Sequence, residues 1–141
     1  MRTAFVTGSS GFIGRHLVAL LRQAGWRVAA ARRGHGGGEG PDLGPSPWTA
    51  ERIAAALRDI GADVVFHMAG VTRAASAAGL YEANTVLAAQ VLDAAARQER
   101  VPAVVLAGSA AEYGPVAPEA VPVTEVHPCR PVTAYSDELS R

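Results

Sequence analysis

A chain of 141 residues with 49% hydrophobic side chains is long enough to form one domain around a core. Its formal net charge of +0 leaves no electrostatic footprint for nucleic acid or a membrane surface, and its single cysteine, Cys129, excludes an internal disulfide framework. No apolar run approaches the roughly 18 residues of a membrane span, and all 13 residues in the Lys+Arg count are arginine, so every role that needs a lysine ammonium is removed.

Thr3 to Thr7 is a β-branched and apolar run that predicts a buried strand. A chain that opens on a strand predicts no signal peptide, and a cytoplasmic location is the expectation. Gly8, Gly11 and Gly14 follow, with an amphipathic helix starting among them. Gly8 suits a sharp strand-to-helix turn, Gly11 a close backbone approach to a pyrophosphate, and Gly14 tight packing of helix on strand. The helix N-terminus then aims free N–H groups and partial positive charge at the phosphates. The helix is expected over 12–24, with Phe12, Ile13, Leu17, Leu20 and Leu21 on its apolar face and Gly25 ending it. Trp26 to Ala31 is the second strand and completes a right-handed βαβ unit.

An NAD-preferring fold carries Asp or Glu at the end of that strand, to hold the ribose 2′-hydroxyl. This chain has Arg32-Arg33, which suit a 2′-phosphate, so NADP(H) is favoured over NAD(H); the alternative is a solvated pair. Residues 34–47 are glycine- and proline-rich and predict a surface loop. Thr49 reads as the N-cap of a helix over 51–60 that Gly61 closes. Asp63 to His67 is the third strand, Leu80 to Arg100 the longest helix, and Val101 to Ala107 the fourth strand. The alternation predicts an α/β class: a Rossmann-like, doubly wound parallel sheet in one domain over 1–141. The expected strand order is 3-2-1-4, with a switch point between strands one and four.

Thr7-Gly-Ser-Ser-Gly-Phe-Ile-Gly14 resembles the TGxxGxxG signature of the extended short-chain dehydrogenases/reductases: nucleotide-sugar epimerases, dehydratases and 4-ketoreductases. The resemblance implies a nicotinamide dinucleotide held by Gly8, Gly11, Phe12, Ile13 and Gly14, with Arg32 and Arg33 at the adenosine ribose. It also puts Asp42 and Leu43 over the adenine, and Met68, Ala69 and Gly70 against the ribose and nicotinamide side, with Thr72 in reach of the ribose. Asn84 would tie the long helix to the active-site loops. No metal site is implied.

Gly108-Ser-Ala-Ala-Glu-Tyr-Gly114 and Arg130-Pro-Val-Thr-Ala-Tyr135 look most like the bacterial GDP-6-deoxy-4-keto-mannose reductases. There Ser109 would orient a sugar oxygen and Tyr135 would move the proton while hydride passes to or from the sugar carbon. The family's lysine, four residues after the tyrosine, is Leu139 here, and Asp137 and Glu138 would if anything raise the phenol pKa. The resemblance covers the N-terminal half of a complete enzyme, without the C-terminal substrate lobe. Two readings follow. One is a nucleotide-sugar oxidoreductase or epimerase; the other is a non-catalytic NADP(H)-binding module that needs a partner, whether a second copy or a complementing C-terminal half.

Overall fold

The computed structural model describes residues 1–33 and 40–133. They divide into two units, Met1–Gly70 with Val86–Ala107, and Val71–Thr85 with the chain from Gly108 onward. The first unit holds strands β1 (Thr3–Thr7), β2 (Arg27–Ala30), β3 (Val64–His67) and β4 (Ala103–Leu106). It also holds helices α1 (Phe12–Gln23), α2 (Ala50–Ile60) and, after the short α3 (Ala77–Tyr81) of the second unit, α4 (Leu87–Ala96).

The four strands are parallel and lie in the order β2-β1-β3-β4. This corrects the expected order 3-2-1-4. The strand after α2 pairs with β1, Ala4 opposite Val64 and Thr7 opposite His67, and not with β2. The outer flank of β2 is taken by a single parallel bridge, Arg32 with Asp42, closed by Arg32 N–H to Pro41 C=O (3.1 Å) and Leu43 N–H to Arg32 C=O (3.1 Å). The loop after β2 therefore supplies one residue of outer strand, and α2 crosses back over β1. The direction of winding reverses at β1, so the switch point lies between β1 and β3, and Gly8 stands at its C-terminal end.

Period-two alternation sends Phe5 and Val65 to one face of the sheet and Ala4, Val6 and Phe66 to the other. The first face carries the larger core, with Ile53, Ala54 and Leu57 of α2 and Val91, Ala94 and Ala95 of α4. Leu43 and Trp48 are buried in the same cluster, and the Trp48 indole N–H donates to Gly44 C=O at 3.0 Å. Thr49 caps α2 by accepting the Arg52 N–H (3.4 Å), and Gly61 ends it at φ +60°. The Gln90 side chain of α4 accepts the Ala50 N–H at 2.6 Å, which fixes the two helices to each other. Asp63 accepts the Thr3 N–H at 2.7 Å and pairs with Arg100, and both contacts hold its carboxyl below the usual range.

Among the described residues, the helix on the second face is α1. Leu21 is buried there, with Leu17, Val18 and Trp26 packed alongside, whereas Phe12 (75% exposed), Ile13 (61%) and Leu20 (63%) face outward. The inward stripe is thus Leu17, Val18 and Leu21, rotated from the face expected from the sequence. The expected single helix over Leu80–Arg100 is also divided: α3, a π-helical turn over Glu82–Val86, then α4.

These placements set two costs apart. Ile53→Ala empties a fully buried site and is expected to lower unfolding free energy by about 2–5 kcal/mol. Leu20→Ala, on the outward face, is expected to change it by less than about 0.5 kcal/mol in the same urea titration.

Candidate functional site

The first turn is built from three glycines in mutual contact. Gly8 has φ +65°, the left-handed region that favours glycine, and a Cβ there would lie 2.5 Å from Ala69 N and 2.6 Å from the Met68 carbonyl carbon. A Cβ on Gly14 would collide with the Gly8 carbonyl. Gly11 differs from both, because its Cβ position has a single close neighbour, Gly8 O at 3.2 Å, and is otherwise open. Two glycines pack backbone on backbone and the third presents backbone outward.

Helix α1 starts there without a side-chain cap and with no acidic residue in its first turn. Its first i→i−4 bond runs from Arg15 N–H to Gly11 C=O at 3.1 Å, so helix geometry leaves the amides of Phe12, Ile13 and Gly14 unclaimed. Exposed Phe12 and Ile13 side chains leave that end accessible. Uncapped amides, the positive end of a 12-residue helix and an open Gly11 together give this helix end the chemistry to accept an anion.

At the end of β2, Arg32 is half-buried, and its Nε and Nη2 donate to Gly40 C=O at 3.3 and 3.2 Å. The guanidinium is thereby held along the Gly40–Leu43 segment, with Nη1 remaining outside these bonds. Arg33 is exposed, and exposed Asp42 accepts the Gly44 N–H at 2.8 Å. Leu43 lies in the core at 2% exposure. Met68 and Ala69 are half-buried beside Gly8, and Gly70 is exposed.

In the second unit the Asn84 amide is spent on the Val71 backbone, accepting its N–H at 2.8 Å and donating to its C=O at 2.9 Å. Asn84 thus anchors the chain after β3, and Thr72 beyond it is exposed. Ser109 caps a 3₁₀ turn over Ala110–Tyr113 by accepting the Ala111 N–H at 3.2 Å. This fixes the oxygen and leaves the hydroxyl proton as an outgoing donor. Gly114 (φ +66°) packs on the Arg130 carbonyl, and Tyr113 meets His127 edge to face at 5.9 Å. Tyr135 and Leu139 lie outside the described residues. Among the described residues no group of His, Cys, Asp and Glu is placed to hold a metal ion, and no helix is long and apolar enough to cross a membrane.

The model of the NAD dependent epimerase/dehydratase family matches residues 4–137. The chain belongs to this family. It is 31% identical over 140 residues to a UDP-glucose 4-epimerase of Azospirillum brasilense, covering 92% of this chain and 39% of that protein. It is 33% identical over 141 residues to a 4-hydroxy-2-methyl-3-oxo-4-farnesyl-3,4-dihydroquinoline-1-oxide ketoreductase of Stigmatella aurantiaca, covering 96% and 42%. A short-chain dehydrogenase/reductase superfamily protein from Agrobacterium tumefaciens, solved with bound NAD, superposes with TM-score 0.76 at 29% identity, over 98% of this chain and 42% of that one. The chain therefore spans about two fifths of the length of these relatives.

Behind the glycine turn lies a pair that sequence reading did not connect, Thr7 as the first residue of the glycine signature and His67 as the end of the third strand. Thr7 and His67 are opposite each other in register and buried, with Thr7 Oγ1 2.7 Å from His67 Nδ1. Thr7 Oγ1 also accepts the Ala69 N–H at 3.3 Å. The signal was present in the sequence as two polar residues breaking the apolar alternation of Phe5 and Val65, but only the register brings them together. Burial pushes the His67 pKa down to about 4, so the ring is neutral at pH 7.

That shift has a stability consequence. An unfolded chain protonates His67 near its ordinary 6.5, whereas the folded chain resists protonation until about pH 4. Stability is complete above pH 6.5 and is expected to fall by up to about 1.4 kcal/mol per pH unit below it. Urea unfolding of the wild type and His67→Asn between pH 7.5 and 4.5 checks this: the wild type is expected to show the steeper decline.

Proposed function

We propose that the chain is the dinucleotide-binding half of an epimerase- or reductase-type enzyme of nucleotide sugars, and that it holds a nicotinamide dinucleotide at the Gly8–Gly14 turn. The observation that carries the reading is the uncapped N-terminus of α1 behind an open Gly11. The amides of Phe12, Ile13 and Gly14 would take the pyrophosphate where the open Gly11 lets it approach, and Met68, Ala69 and Gly70 would flank the ribose on the β3 side. When bound, the cofactor supplies or accepts hydride at a sugar carbon.

Preference for the phosphorylated cofactor is part of the proposal. No carboxylate stands at Arg32 or Arg33, and Gly40 holds Arg32 at the strand end with Nη1 to spare for a 2′-phosphate. Ser109, with its lone pair engaged by Ala111, would donate its proton to the substrate oxygen at the reacting carbon. Tyr135 would exchange the proton.

Leu139 supports a second reading, in which this chain binds the dinucleotide without catalysis. With no lysine in the sequence, nothing of that type lowers a tyrosine pKa from its ordinary value near 10. In the first reading an arginine, a complementing segment or a partner would take the place of that lysine.

Calorimetric titration of the chain with NADPH and with NADH tests the proposal. NADPH is expected to bind more tightly, and Arg32→Ala to narrow the gap by about 1–3 kcal/mol, the range of a charged hydrogen bond. Equal affinities unaffected by Arg32→Ala would overturn the cofactor preference. Absence of binding by either would overturn the assignment of the glycine turn.

A further inference from the structure

We propose that His67 is a positioning residue for the glycine turn: acting through Thr7 Oγ1, it fixes the Met68–Ala69 backbone against Gly8 and so sets dinucleotide affinity. This rests on the binding role proposed above for Gly8–Gly14, and on a chain of contacts that needs no ligand to be seen. His67 Nδ1 meets Thr7 Oγ1 at 2.7 Å, and the same oxygen accepts the Ala69 N–H at 3.3 Å. Met68 N–H donates to Thr7 C=O at 3.2 Å, so Thr7 grips this turn with side chain and main chain together.

Gly8 is packed on the peptide between Met68 and Ala69 closely enough that not even a methyl group fits between them. Gly14 is packed on Gly8 in the same way. Any displacement of the Ala69 amide is therefore carried by backbone contact into Gly8, and from Gly8 into the first turn of α1, where the unclaimed amides stand. A close-packed interior passes such a shift on because it has no void to absorb it.

The pair is not simply more core. Phe5 and Val65, two residues earlier on the same face, are fully buried and apolar. Thr7 and His67 are equally buried but polar, and His67 Nε2 is buried with no hydrogen-bond partner among the described residues. An unpaired polar atom in that position costs stability. The imidazole offsets part of that cost only through Nδ1, the atom that restrains Thr7. Freed of His67, the Thr7 hydroxyl can rotate away from Ala69.

The test uses four variants of the chain. His67→Phe and Thr7→Val remove the bond while keeping bulk; His67→Asn and Thr7→Ser keep a partner at the same place. NADPH titration and hydrogen exchange at the Ala69 amide are read for each. His67→Phe and Thr7→Val are expected to weaken binding about tenfold and to speed Ala69 exchange about tenfold, as loss of one buried hydrogen bond implies. Their combination is expected to add little more, and the Asn and Ser variants to stay within about threefold of wild type. Equal weakening by His67→Phe and His67→Asn, with Ala69 exchange unchanged, would show that His67 acts by packing alone and would overturn the proposal. If wild type bound no dinucleotide, the binding role itself would fail, and with it the claim on affinity. Ala69 exchange in the free protein would still decide whether His67 positions the turn.

Discussion

The structure depends on one steric constraint, the direct seating of Gly8 on the peptide between Met68 and Ala69. It brings the end of β1 and the end of β3 to backbone contact, and Gly14 then draws the first turn of α1 onto the same point. A local turn and a segment distant from it in sequence meet where no side chain fits. The sheet order follows the same demand, because β3 must lie beside β1 for its C-terminal turn to reach Gly8. Hydrophobic burial of Phe5, Ile53, Val65 and Val91 stabilises the arrangement from one face, but the contact itself is made of backbone.

What this constraint produces is a local field. The amides at the start of α1 have neither a side-chain cap nor an acid in the first turn to compensate them, so the partial positive charge of the helix end is left for a ligand. Asp63 and Glu51 are held below the ordinary carboxylate range by arginine and backbone partners elsewhere in the fold, Arg100 and Thr3 for the one and Arg97 for the other. The start of α1 has no such side-chain partner among the described residues, and it coincides with the open Gly11.

Much of this was legible in the sequence because it is local. The β-branched run of β1, the glycine spacing, the Thr49 cap and the Gly61 stop each fix a conformation within a few residues. Strand order was not legible, because it turns on β3 pairing with β1 across about sixty residues, which no local propensity signals. The rotation of α1 was missed because Phe12, Ile13 and Leu20 are apolar yet outward, and periodicity cannot say which edge of an apolar stripe is covered. The fixing of Arg32 by Gly40, and the meeting of Thr7 with His67 across 60 residues, are tertiary facts. Asn84 lay between the two cases: its segment was legible, its clamp on Val71 was not.

The central claim is that the N-terminal turn of α1 is the anion cradle of a family member built to hold a dinucleotide. Amide chemical-shift mapping by two-dimensional NMR, on addition of NADPH to the labelled chain, tests it most directly. The account predicts the largest perturbations at Gly11, Phe12, Ile13 and Gly14, with a second group at Arg32 and Ala69. Perturbations confined to α2 and α4, or spread evenly with the glycine turn unmoved, would contradict it.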